Sequence, residues 1–181
     1  MEQADKKYYD ILFSGIYRAL EYYSNVHRGS GHHSIITTRL YEKAREEVLN
    51  YLGLESRSWG VVFGSPAGIQ GIAQGIPADD HRIISSAEIN LPFGVCALAV
   101  RLKAFPNGVP YYTGGGTTRL YSRNWVIWTD RPDLYEAGTP AIINVIGFAR
   151  ALNMIRKYGN DIFRTKPDEG MGHRFSCLFR S

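Results

Sequence analysis

WGVVFGSPAGIQGIAQGI, residues 59–76, is the stretch whose reading decides the fold. Trp59 to Phe63 is short, apolar and β-branched at its centre, which predicts a buried strand. The run stops on Gly64, Ser65 and Pro66, a turn combination. Ala67 to Ile76 then predicts a short helix. A strand feeding a helix through a glycine turn is the repeating unit of α/β proteins. Downstream, Arg82–Ser86 and Val95–Val100 predict two further strands. Upstream, Leu40, Tyr41, Ala44, Val48, Tyr51 and Leu52 fall on one helical face, with Arg39, Lys43, Arg45, Glu46 and Glu47 mostly off it. Thr38 and Gly53 stand as its caps. Residues 8–23 also carry helical spacing, through Tyr9, Ile11, Leu12, Ile16, Ala19, Leu20 and Tyr23.

Between these two helices, SNVHRGSGHHS (residues 24–34) is polar and glycine-rich and predicts a loop. Gly114, Gly115 and Gly116 predict another. Thr139-Pro140 is the best helix start in the chain, a threonine N-cap followed by proline at the first helical position. The helix that follows would bury Ile142, Val145, Ile146, Ala149, Leu152 and Ile155. After Arg164 neither period nor turn chemistry persists, and a disordered tail is expected.

Composition narrows the function classes. The 181 residues are 44% hydrophobic and 21% charged, with a net charge of +4. These are globular values for one domain. Basic residues are interleaved with acids, so no nucleic-acid partner is indicated. The longest apolar stretch, Leu91 to Val100, is broken by Pro92 and Gly94 and falls short of the ~20 residues that span a bilayer. The charged N-terminus is not a secretory signal, and Cys96 and Cys177 form no disulfide framework. A cytoplasmic location is expected.

No single motif specifies a reaction. His27, His32 and His33 share a loop, but adjacent histidines rarely converge on one metal, and no metal site is expected. The turn at Gly64 and Ser65 presents a helix N-terminus suited to phosphate, as does Thr139 at its own helix start. Each has a plain structural alternative: a chain reversal and an ordinary N-cap.

The order of these motifs carries a resemblance. YSNVHRGSGHHSIITTRLYEKAREEVLNYLG, with Asn25, His27, Arg28 and Gly29 before the helix ending Leu52-Gly53, is similar to the N-terminal segment of class V aminotransferases and cysteine desulfurase-like enzymes. VVFGSPAGIQGI resembles the family's cofactor-phosphate turn. GGGTT (Gly114–Thr118) and YEAGTPAIINVIGFARAL (Tyr135–Leu152) resemble paired motifs that follow the family's cofactor lysine. The resemblance implies an incomplete fold type I domain, α/β, with a mixed, mostly parallel sheet, flanking helices and no C-terminal small domain. It implies pyridoxal phosphate as cofactor, amino acids as substrates, and a dimer, either of this chain with itself or with an intact relative. It assigns Thr139, Ser65 and Gly64 to the cofactor phosphate, with Thr139 reaching the neighbouring subunit's.

The departures from the family are equally informative. Ile84-Ser85-Ser86-Ala87-Glu88 matches a family strand end that should lead to a ring-stacking histidine, and Ile89 follows instead. A join at Glu88–Ile89 would divide the chain into residues 1–88, residues 89–164 and a tail, 165–181. A second alignment lays Ser86-Ala87-Glu88 over the family's Ser-His-Lys, with Glu88 at the lysine. On either alignment the Schiff-base lysine is missing, and a carboxylate forms no imine. Pro66 has no N–H to give the phosphate. No catalytic residue is assigned, and the expectation is a family member without catalysis. The alternatives are an active enzyme with a lysine supplied from elsewhere and a non-catalytic dimerisation partner of an intact paralogue.

Overall fold

In a computed structural model, residues 2–24, 26, 31–110, 112–138 and 140–163 are described. The chain opens with helix α1 (Glu2–Leu20), whose Tyr9, Leu12, Phe13, Ile16 and Ala19 are buried at three- and four-residue spacing. It ends at Leu20 rather than running to Tyr23, where turn bonds from Tyr22 and Tyr23 to Ala19 and Leu20 replace the helical ladder.

Helix α2 (His32–Leu52) begins six residues earlier than the expected Thr38 cap, with Gly31 in the cap position and no side-chain cap. His32, His33 and Ser34 are therefore helical and not loop. Tertiary contact overrides local propensity here. Thr37 is 1% exposed, and its hydroxyl donates to the Tyr22 carbonyl at 2.7 Å, tying the first turns of α2 to the end of α1. At the other end the expectation holds. Gly53 sits at φ 68°, a conformation that favours glycine, and the Leu54 N–H closes the helix on Leu49 O at 2.9 Å.

Three strands, β1 (Trp59–Gly64), β2 (His81–Ser85) and β3 (Cys96–Arg101), form a sheet in the order β1-β3-β2, and α3 (Pro66–Ala73) follows β1 directly. Both ladders are antiparallel, which corrects the expectation of a mostly parallel sheet. Only β1 and β2 point the same way, and β3 lies between them. The reason is the short link from β2 to β3. A parallel neighbour needs a crossover of a dozen or more residues, and ten residues, 86–95, return the chain antiparallel.

Side chains of the sheet alternate between two cores. On one face Trp59, Val61, Phe63, Ala97 and Ala99 meet α1, α2 and helix α4 (Ile142–Tyr158). On the other, Val62, Cys96, Leu98 and Val100 meet Ile69, Ile72 and Ala73 of α3, with Leu134 and Tyr135. Gly147 makes the close approach of the larger core. A Cβ there would stand 2.9 Å from Cε1 of Phe93, so the Phe93 ring packs directly against the backbone of α4. The Asn144 amide donates to Phe93 O at 2.8 Å, holding the turn before β3 against the same helix. A two-stranded ribbon, β4 (Thr118–Tyr121) and β5 (Val126–Trp128), stands apart from the main sheet.

Candidate functional site

Gly64 ends β1 and Ser65 caps α3, its hydroxyl accepting from Gly68 N at 3.2 Å. The expected strand–turn–helix is thus in place, with Pro66 at the first helical position. Two of the N–H groups that a helix N-terminus offers an anion are already removed. Pro66 has none, and that of Gly68 is taken by Ser65. Gly64 and Ser65 line a cavity of about 250 Å³ together with Phe63, Gly94, Val95, Glu136 and Pro140.

A second cavity of about 570 Å³ opens beside it, sharing Gly94 and Val95. Its wall is the link between β2 and β3. Ser85 and Glu88 form a reciprocal capping box. The Ser85 N–H and hydroxyl both donate to Glu88 Oε1 at 2.9 Å, and Glu88 N donates to Ser85 Oγ at 3.4 Å. Asn90 at φ 59° closes the 3-10 turn, and Ser86 N donates to Val95 O at 2.9 Å as β3 begins. Glu88 is therefore a structural cap whose carboxylate lies at the edge of the cavity. Cys96 lines the same cavity but is buried, and burial, with the Glu88 charge adding to it, pushes its thiol up. A raised thiol is a poor nucleophile.

Thr139, the third residue expected at the phosphate, lies outside the described residues, as do His27 and Cys177. The helix start expected at Thr139-Pro140 is corrected. α4 begins at Ile142 and takes Ala141 as its cap residue, with Val145 N donating to Ala141 O at 2.9 Å and no side-chain cap. Ile142 N instead donates to Pro140 O at 2.8 Å, a tight turn that spends Pro140 ahead of the helix.

The centre of this segment is Glu136, the first residue of the Glu-Ala-Gly-Thr-Pro motif, to which the sequence assigns no role of its own. Its carboxylate accepts from the Phe63 N–H at 2.8 Å, the Tyr41 hydroxyl at 2.9 Å and the Arg45 guanidinium at 2.9 Å. Arg45 donates also to Asp133 at 2.6 Å and Glu42 at 2.9 Å. Arg45 is 7% exposed, which corrects its placement off the apolar face of α2. Four residues separate it from Tyr41, one helical turn, and that spacing was the available signal. Burial pushes the Glu136 carboxyl up from its usual range, opposed by Arg45, the Phe63 N–H and Tyr41. Burial and the Glu136 charge together hold the Tyr41 hydroxyl well above the usual phenol range. This network joins α2, the end of β1 and the segment before α4, and so fixes the shape of the smaller cavity. A groove of about 480 Å³ continues from Glu136 and Pro140 to Gly116, Thr118 and Thr129 at the base of the β4–β5 ribbon.

No lysine lines any of the three spaces among the described residues. Lys103, the nearest in sequence, lies beyond Arg101, at the end of β3 opposite to the Cys96–Gly64 pair. That end is roughly 17 Å away along the strand. Nor do the described residues contain a cluster of three or more His, Cys, Asp or Glu that would hold a metal ion. No described helix is long and apolar enough to cross a membrane.

Comparison with known proteins agrees with this geometry. A probable cysteine desulfurase from Xylella fastidiosa is 26% identical over 154 residues, covering 78% of this chain and 37% of the relative. One from Aeropyrum pernix is 31% identical over 119 residues, covering 59% of this chain and 29% of the relative. The chain thus spans about a third of the length of these curated relatives. The apo structure of the cysteine desulfurase from Thermococcus onnurineus NA1 shares the fold, with a TM-score of 0.62 at 17% identity over 81% of this chain and 65% of that one. The model of one family, described as aminotransferase class-V, matches residues 80–171, just over half of the 181 residues. With its three-strand sheet, flanking helices and Gly64-Ser65 turn, the chain belongs to the aminotransferase class-V family.

Proposed function

We propose that this chain is a desulfurase-like domain of the class V family that does not carry the family's covalent cofactor chemistry, because Glu88 occupies the position of the Schiff-base lysine. The observation that carries this reading is the capping box at Ser85–Glu88 on the rim of the larger cavity. The family match spans residues 80–171, on both sides of Glu88–Ile89. The reading takes the alignment that lays Ser86-Ala87-Glu88 over the family's Ser-His-Lys. The direct hydrogen bonding of β2 to β3 is consistent with it.

The residues present do not fit a covalently held pyridoxal phosphate. A carboxylate forms no imine, no lysine among the described residues lines these two cavities, and the α3 N-terminus has surrendered two donors. Gly64 and Ser65 retain the position of the family's phosphate turn without its donor set, and Thr139 keeps its phosphate-facing identity by motif alone. No reaction step is assigned. The relatives named above are described as cysteine desulfurases, and the corresponding activity is expected to be lacking here. Incubation of the purified chain with pyridoxal phosphate and L-cysteine is expected to release no sulfide and no alanine above a protein-free control. Stoichiometric turnover dependent on this chain would overturn the reading.

A further inference from the structure

The groove between α1 and α4 gathers charge that the sequence leaves scattered. About 520 Å³ in volume, it is lined by Lys6, Lys7, Arg18 and Arg150, with Asp10 as its only acidic residue. Among the described residues no ion pair engages any of these four cations, whereas Arg45, Arg101, Arg119 and Arg156 are each paired. A cleft lined by one sign of charge focuses the field and draws in the opposite ion. The groove shares no lining residue with the three spaces described above. We infer that it binds a linear oligophosphate, a chain of three or more linked phosphates, free or as the tail of a nucleotide.

One of the four cations has a fitted seat. Gly15 leaves a notch in α1, where a Cβ would stand 1.9 Å from Arg150 Nε and 2.1 Å from its Cζ. The guanidinium therefore lies against the backbone of α1, and one of its N–H groups donates to Ile11 O at 3.3 Å. Arg150 is thus held across the two helices, and the rest of its fork has no partner among the described residues. The other groups are strung out beside it. Lys7, Ile11, Ser14 and Arg18 follow at four-, three- and four-residue steps, one stripe along α1. At the helical rise per residue, Lys7 to Arg18 covers roughly 16 Å. A single phosphate meets only part of such a row, whereas linked phosphates follow it. Ile11 is the one apolar residue in the lining, so a peptide or a nucleobase would find little against which to bury itself. The donors suit phosphate: two lysines act as point charges, Arg150 adds a planar fork, and Ser14 offers a hydroxyl. The inference stands whether or not Glu88 replaces a lysine.

The test is calorimetric titration of the full chain with sodium triphosphate, set beside inorganic phosphate, metal-free adenosine triphosphate and hexaglutamate. Triphosphate is expected to bind at least tenfold tighter than inorganic phosphate or hexaglutamate, and to weaken as salt is raised. Adenosine triphosphate that binds no tighter than triphosphate assigns the free chain as ligand; tighter binding assigns the nucleotide tail. Arg150→Lys keeps the charge and loses the fork, and Gly15→Ala keeps every groove cation and fills the seat. Each is expected to weaken triphosphate at least fivefold with unchanged far-UV circular dichroism. Lys103→Gln, which removes a cation at the far end of β3, is expected to leave binding unchanged. A wild-type chain that binds triphosphate no tighter than inorganic phosphate or hexaglutamate would overturn the inference, and that result needs no variant to fold. So would binding indifferent to either groove variant, or weakened equally by Lys103→Gln, since both describe general charge attraction and not a site.

Discussion

Replacing Arg45 by methionine is expected to destabilise the chain by about 3–5 kcal/mol, the range for removing one partner of a buried ion pair. The size follows from what is left behind. Glu136 would remain buried with its carboxylate held by Phe63 N–H and the Tyr41 hydroxyl but with no cation. Asp133, 31% exposed, would turn to water, whereas Glu136, 7% exposed, has no such escape. The loss is expected to depend on pH, and the sign is fixed by the direction of the shift. Burial already raises the Glu136 carboxyl above its unfolded value, and removing Arg45 takes away the strongest opposing influence. A folded state that binds a proton more tightly than the unfolded chain is favoured at low pH and loses ground as pH rises. The deficit of Arg45→Met against wild type should therefore be smallest below the ordinary carboxylate range and grow through neutrality, read as urea midpoints at matched ionic strength. Adding Glu136→Gln should recover about 1–2 kcal/mol at pH 8, since a neutral amide still accepts from Phe63 N–H. A deficit that is flat with pH, or below about 1 kcal/mol, would mean the pair is solvated and the segment before α4 is not fixed by it.

Phe148→Ala is the second large effect, with an expected loss of about 3–5 kcal/mol. Phe148 is fully buried on α4, in the core shared with α1, α2 and the sheet. Its neighbours in sequence are the ones that hold the candidate site. Gly147 receives the Phe93 ring, and Asn144 binds Phe93 O. A void at Phe148 loosens the helix that clamps the turn between Glu88 and β3. For a chain of this length the loss corresponds to a fall in Tm of roughly 10 °C. Differential scanning calorimetry would show it as a lower Tm with a single transition retained. A shift of only a few degrees would place α4 outside the main core.

Much of this arrangement was legible in the sequence, and the failures share one cause. Trp59–Gly64, the α3 helix and the Gly53 cap follow from local chemistry: an apolar β-branched run, a proline after a serine, a glycine at positive φ. What local chemistry does not contain is a partner. The polar run ending at Ser34 looks like loop because its glycines and histidines are poor helix formers. The helix nevertheless starts at His32, since Thr37 and Ser34 are buried and the Thr37 hydroxyl is tied to Tyr22 O just past α1. Arg45 reads as a surface residue until Glu136, ninety-one positions away, is placed beside it. The antiparallel sheet was obscured for a related reason. Strand direction depends on how the links between strands are routed, and the composition of the strands alone does not reveal it. The Glu88 turn shows the opposite case, where the Ser85-x-x-Glu88 spacing of a capping box is local and is present in the sequence itself.

The most direct test of the central claim is to incubate the wild-type chain with pyridoxal phosphate, reduce with borohydride, and map the product by peptide mass. On the proposed reading, no single lysine peptide should be labelled stoichiometrically, and the protein should show no absorbance of a bound imine after desalting. Stoichiometric labelling of one lysine, whichever of Lys6, Lys7, Lys43, Lys103, Lys157 and Lys166 it is, would contradict the account.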